Sequence, residues 1–280
     1  MIAALIIVFR EVFEAGLIVG IVLAVTRTVP RRNQWIAGGV LTGVLGACVV
    51  AVFAGALSNL FAGMGQELFN AFILIVAVVM LTWHNVWMAR HGSELAGELR
   101  AAGQAVVEGS KSLFALAVVV GVAVLREGSE VVLFLYGVLA GGDSGGGVAL
   151  GGFVGLLLGA AVCMLTYLGL VSIPTRKLFA TTTALIALLA AGMAAQAAAF
   201  LEKANWLTAM DNVVWDSSWL LSDSSILGKA LHTLIGYTDQ PTAMQLTVYI
   251  AILAVTFVLM RLYGAPTKTC LLYTSDAADE

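Results

Sequence analysis

The 280-residue chain is 60% hydrophobic and only 11% charged, with a mean hydropathy of +0.98. A soluble domain of this length carries roughly a quarter charged residues to cover its water-facing surface, so a water-soluble globular enzyme, a disordered chain and a collagen-like fibre are excluded. Its 14 Lys and Arg against 17 Asp and Glu give a net charge of −3, which leaves no basic excess for nucleic acid and points to a polytopic membrane protein.

A hydrocarbon core takes about 20 apolar residues of helix to cross. Seven stretches reach that length: 2–26, 35–57, 67–89, 113–140, 148–172, 178–201 and 244–264. The first lacks a basic n-region and a small-residue cleavage pattern, so it is read as a span and not a cleavable signal. It holds Arg10-Glu11-Val12-Phe13-Glu14, and Pro30, Arg31, Arg32 and Asn33 turn the chain after it. Cys48 in the second span, Cys163 in the fifth and Cys270 near the end fit no zinc, redox or disulfide spacing and are expected to be packing residues. The third span opens at Glu67 and carries His84-Asn85; the fourth carries Arg126-Glu127-Gly128-Ser129-Glu130. Gly141–Gly147 (GGDSGGG) reads as a flexible reverse turn, without the lysine or strand-to-helix pattern of a phosphate loop. The connection 202–243 holds Glu202, Asp211, Asp216, Asp223 and Asp239 against Lys203 and Lys229, with Trp206, Trp215 and Trp219 suited to an interfacial belt. Its acidic balance is suited to gathering cations.

Basic residues orient the spans. With the N-terminus outside, Arg27, Arg31, Arg32, Arg90, Arg100, Lys111, Arg176, Lys177, Arg261 and Lys268 fall inside, and only Lys203 and Lys229 outside. Arg10 and Arg126 lie within spans.

Spans one and four thus share the form R-E-x-x-E in otherwise apolar helices. An ionised group at that depth costs on the order of 2.5–3.5 kcal/mol even on the lenient insertion scale, so six of them require a reason. Glutamates three apart project from one side of a helix, with the arginine one turn from the second. At 1.5 Å per residue the first motif lies about 12–18 Å below its outer end, and the second about 15–21 Å. The motifs are therefore level, near mid-membrane, on antiparallel helices. Three spans plus three spans with matching first helices mark an inverted repeat with its substrate site at the midplane. A weaker echo pairs Met80, Trp83 and Trp87 with Met193, Gln196 and Phe200. Each motif has two acids and one base, a net charge of −2 for the pair if all are ionised. Helix packing alone does not need surplus anions: either some of the glutamates are protonated or a cation completes the balance. Converging carboxylates without thiolate form a hard site that fits ferric iron, manganese, magnesium or calcium better than copper(I) or zinc, and hardness alone does not select iron among them.

The doubled R-E-x-x-E in spans one and four of a seven-span chain resembles the iron permease family, which includes the fungal high-affinity permeases and the bacterial EfeU-type permeases. MIAALIIVFREVFEAGLIVGIVLAVTR looks like the bacterial N-terminus and LREGSEVVLFLYG like its fourth span. AAQAAAFLEKANWL, VWDSSWLLSDSSILGKALHTLIGYTDQPTAMQLTVY and the residues between them look like its sixth span, outer loop and seventh span. The resemblance implies that Glu11, Glu14, Glu127 and Glu130 handle iron, with Arg10 and Arg126 as positioning charges. Val12-Phe13 departs from the Gly that follows the first Glu in many relatives and leaves the charged positions intact. It also implies an iron-binding or iron-oxidising partner outside the membrane, since the chain has no segment read as an oxidase. His84, Glu67 and Gln196 are further candidates for the ion path.

The expected architecture is all-α: seven transmembrane helices in a 3+3 inverted repeat plus one C-terminal helix. A single permease unit spans 1–264, with repeat one about 1–90, repeat two about 113–201, the outer loop 202–243 and the last span 244–264. The tail 265–280 (APTKTCLLYTSDAADE) does not resemble the family and is not expected in the fold. The expected function is iron import across the inner membrane, with iron as transported substrate and no permanently bound cofactor. Its rivals are a proton-coupled carrier of another cation and an intramembrane scaffold.

Overall fold

A computed structural model describes residues 1–60, 66–169, 175–223 and 225–263; the tail, with Lys268 and Cys270, lies outside them. The described residues form eight helices: α1 (Ile2–Val25), α2 (Arg32–Leu60), α3 (Gln66–Val107), α4 (Leu113–Ala140), α5 (Gly145–Tyr167), α6 (Thr175–Lys203), α7 (Ile226–Ile235) and α8 (Ala243–Tyr263). The only pairing of strand type among them is an isolated bridge between Val213 and Thr242. Helix is what a lipid-spanning backbone requires, because each segment must satisfy its own polar groups. Five of the helices are apolar and long enough to cross a membrane: α2, α3, α5, α6 and α8. With 24 and 28 residues, α1 and α4 are as long, and each contains one Arg and two Glu.

The expected spans match these helices, with three departures. First, α3 continues from 89 to Val107, 42 residues in all, or about 63 Å at 1.5 Å per residue. Its extension buries Leu99 and Val106, one face of the helix, against Ile18, Val22, Ile36 and Leu116. Second, α5 begins inside the glycine-rich turn, where the Ser144 hydroxyl caps it by accepting from the Gly147 N–H at 3.2 Å. Third, the long connection contains α7, started by Ser225 accepting from Gly228 N–H at 2.9 Å and ended by Gly236 at φ +69°.

The two halves pack by the same contacts. α1 lies on α5, α2 on α4 and α3 on α6, and exchanging helices 1–3 with 4–6 maps the first two pairs onto each other. A Cβ at Gly39 would stand 2.6 Å from the Ala117 carbonyl oxygen and one at Gly43 2.7 Å from that of Gly121. In the other pair, Gly151 meets the Met1 carbonyl oxygen, and a Cβ at Gly155 would stand 2.5 Å from that of Leu5. Ala117 and Gly121 follow Met1 and Leu5 by 116 residues, the same step that separates Arg10 from Arg126. Glycine permits this approach because the partner backbone occupies the place of a side chain, the usual close packing of membrane helices. The contacts ascend together within each pair, so α1 runs parallel to α5 and α2 to α4.

Two apolar layers frame the middle. Ala3, Ile7, Leu74, Leu81, Phe134, Val138 and Ile186 cluster toward the Met1 end, and Ile18, Val22, Leu116, Val120 and Val124 toward the other. Both motifs fall between these layers.

A carboxylate cluster between two apolar layers

The local cause of the cluster is helical spacing. In α1, Arg10 Nε reaches Glu14 Oε1 at 2.9 Å and Nη1 reaches Glu11 Oε1 at 3.5 Å. In α4, Arg126 Nε reaches Glu130 Oε1 at 3.2 Å and Glu127 Oε1 at 3.7 Å. Each arginine thus holds one oxygen of each of its two glutamates. One residue of α3 joins the halves: His84 places Nε2 3.5 Å from Glu14 Oε2 and Nδ1 against Glu130 Oε2.

Ligand atoms of Glu11, His84, Glu127 and Glu130 all lie within 4.8 Å of one another. Three of the four expected glutamates therefore converge on one point. The fourth, Glu14, is bound to Arg10 and His84 and braces the cluster from beside it. Glu11 Oε2 and Glu127 Oε2 are buried and have neither a hydrogen bond nor an ion pair among the described residues. A buried carboxylate oxygen without a partner is expensive, and Glu11 and Glu127 belong to a group of side chains close enough together to hold a cation. Asn85, 1% exposed, is also without a hydrogen-bond partner among the described residues.

The remaining candidates lie elsewhere. Glu67 is exposed in the first turn of α3, away from the cluster. Gln196 bonds His232 across α6 and α7, Nε2 to Nε2 at 2.5 Å, while His232 Nδ1 faces the Tyr237 carbonyl at 2.6 Å. Both line a cavity of about 410 Å³ at the Met1 end with Asp143 and Asp223, and burial pushes the Asp223 carboxyl above its ordinary value. Met1 itself pairs its ammonium with Asp143 at 3.3 Å. The third-span echo carries over as chemistry on one side only. Trp87 stacks on Arg126, with Cζ 4.3 Å from the ring centroid, whereas Phe200 faces Lys203. Sequence reasoning did not single out His232 or the Trp87–Arg126 stack.

A family model described as "Iron permease FTR1 family" matches residues 1–270. This chain belongs to that family. It is accordingly a permease, a membrane transport protein and not an enzyme. Among its relatives, the "Ferrous iron permease EfeU" of Yersinia pestis is 34% identical over 248 residues, covering 87% of each chain. That of Escherichia coli O6:H1 (strain CFT073) is 32% identical over 249 residues, and that of Shigella sonnei 31% over 248, each covering 87% of this chain and 89% of the relative. No solved structure matches the chain. Among the described residues, the buried oxygen-rich cluster flanked by two arginines is a group that could hold a metal ion.

Proposed function

We propose that this permease imports iron across the cytoplasmic membrane through the paired R-E-x-x-E motifs, with Glu11, Glu127, Glu130 and His84 as the ligands that take the ion in transit. The observation that carries the reading is that Glu11 Oε2 and Glu127 Oε2 are buried without a partner among the described residues, on carboxylates that share one compact cluster with Glu130 and His84. Arg10 and Arg126 aim their carboxylates, and Glu14 orients His84. Two arginines against four glutamates leave the site net negative, which attracts a cation, while the guanidiniums limit how tightly it is held; conduction needs release as well as capture. Carboxylate oxygens with one imidazole nitrogen suit a first-row metal ion of intermediate hardness. Together with the relatives' printed name, this favours Fe²⁺ as the transported species.

The lopsided basic residues support an N-terminus outside and a C-terminus in the cytoplasm. The membrane unit is residues 1–264, with repeats at about 1–90 and 113–201, the loop 202–243 and the last span 244–264. An iron-binding or iron-oxidising protein on the outer face supplies the ion, as the family resemblance implies.

The test is uptake of radioactive iron by cells carrying Glu11→Gln or Glu127→Gln at matched protein levels. Each variant is expected to lose at least nine-tenths of uptake, and near-normal uptake in both would sink the proposal. The rival proton-coupled carrier predicts proton flux driven by another cation, and vesicles assayed with iron, manganese and an organic cation separate the two.

A further inference from the structure

The way into the cluster is not obvious from its walls. The cavity at the Met1 end is separated from it by the apolar layer that includes Ile7, Leu74 and Phe134, all with no exposed surface. A second passage lies between α3 and α4. Its upper part is a cavity of about 330 Å³ lined by Gln66, Asn70, Ile73, Tyr136 and Met80. Its lower part is a cavity of about 210 Å³ lined by Met80, His84, Trp87, Arg126 and Glu130. Met80 belongs to both walls, one helical turn above His84. Exposure agrees with that order. The Glu130 side chain is 14% exposed, while those of Glu11, Glu14 and Glu127 are at most 4% exposed; Glu11 and Glu127 border a groove of about 650 Å³ whose other walls, from α1, α2, α4 and α5, are almost wholly apolar and offer a hydrated ion no ligand.

We propose that the α3–α4 crevice is the half-channel through which the cation enters, that Met80 is its constriction, and that Glu130 is the first carboxylate it meets. This rests on the reading of the cluster as the transport site and on the outward N-terminus. Gln66 and Asn70, in the first turns of α3, offer amide oxygens to a hydrated ion at the mouth. Further down, the walls become apolar at Ile73, and a partly dehydrated ion must pass the Met80 thioether. Methionine suits a door: three rotatable bonds let it swing aside, and its sulfur is polarizable without being a strong ligand. Below Glu130, the Arg126 guanidinium stacked on Trp87 closes the passage with a positive charge. A cation arriving from above is therefore stopped at Glu130 and handed sideways to His84, Glu127 and Glu11. Met80 is a positioning residue here, with no part in binding at rest.

The experiment uses full-length chain with Cys48, Cys163 and Cys270 replaced by Ser, which then transports through its unchanged cluster. Ile73→Cys is treated from outside with a membrane-impermeant, positively charged thiol reagent, and Val79→Cys, exposed nearly two turns further along α3 on the lipid face, serves as control. Ile73→Cys is expected to react and the modification to block uptake of Fe²⁺ held reduced with ascorbate, while Val79→Cys stays unlabelled. Met80→Trp is expected to lower maximal uptake at least tenfold, with Fe²⁺ binding to the purified protein in detergent changed less than twofold; Met80→Ala is expected to transport at or above the parental rate. Binding in detergent reports that the variant is folded, so a blocked door is distinguished from a lost site. A Met80→Trp variant that transports at the parental rate, or an Ile73→Cys variant that resists the reagent, overturns the route. Failure of the underlying reading shows separately, as normal uptake by Glu11→Gln and Glu127→Gln whatever Met80 does.

Discussion

The two R-E-x-x-E motifs are equal in sequence and unequal in surroundings. The Arg10 side chain is 1% exposed and lies wholly within its ion pairs; the Arg126 side chain is 35% exposed and stacks on Trp87. What differs is the third helix of each half. α3 brings His84 and Trp87 to the motifs, while the matching stretch of α6 brings Ala197, buried in the apolar layer near the Met1 end. An inverted repeat therefore supplies the symmetric charges, and asymmetric neighbours decide which half is sealed and which faces a cavity. In alternating access the two halves are expected to exchange such roles during transport.

Breaking the sealed half should cost most. Arg10→Met leaves two buried carboxylates without their counter-ion, a loss of about 3–5 kcal/mol by analogy with broken buried pairs. The expected result is a large fall in the amount of folded permease extracted in mild detergent and in its Tm. Arg126→Met, in the half open to a cavity, is expected to retain most of its folded protein while transport falls. Equal losses of folded protein in the two variants would remove the asymmetry from the argument.

His84 tests the same comparison from its centre, since it touches the second glutamate of both motifs. His84→Ala is expected to raise the iron concentration for half-maximal uptake at least tenfold with folded protein maintained. His84→Gln, which keeps a polar donor and acceptor, should recover part of that loss. A purely structural histidine would instead change protein level and leave the half-maximal concentration alone.

The repeat and the spans were legible in the chain because both are written in the cheapest signal a membrane offers, the position of charge in apolar sequence. Arg10, Glu11, Glu14 and their counterparts could be placed at one depth from helix rise alone. The extension of α3 was not legible by that signal, because Leu95, Leu99 and Val106 alternate with Glu94, Glu98 and Arg100: the helix is amphipathic there, and an apolar-run criterion ends at 89. His84 was visible as a candidate but not as the link between motifs. A lone histidine reports its depth, whereas its direction depends on how α3 is rotated against α1 and α4, which only packing decides. The unequal exposure of the arginines is tertiary for the same reason.

The glycine contacts offer a test in which the halves should behave alike. Gly43 in α2 and Gly155 in α5 hold equivalent places against Gly121 and Leu5, and in both a methyl group would meet partner backbone, which cannot move aside as a side-chain tip can. Alanine at either position is expected to cost about 1–3 kcal/mol from overpacking, with matched falls in Tm measured on the same detergent-solubilised protein. Unequal falls would show that α1–α5 and α2–α4 share a pattern of contacts without sharing its energetics.

The smallest effect is expected at Trp87, where the comparison is most specific. An exposed cation–π contact is worth about 0.5–1 kcal/mol, so Trp87→Leu should barely change Tm. The Arg126 guanidinium would nevertheless lose the surface that holds it under Glu130, and it would be free to turn toward the lower cavity. If the stack closes the floor of the passage, Trp87→Leu should make the cluster leaky, with iron efflux from preloaded vesicles rising several-fold while Trp87→Phe stays near the parental value. Replacing Phe200 with Leu, the symmetry-related change in α6, should leave efflux unchanged because Phe200 faces Lys203 and, among the described residues, no ring is stacked on Arg10. A rise in efflux of the same size in both variants would mean that the stack is incidental and that the asymmetry of the arginines has no consequence for transport.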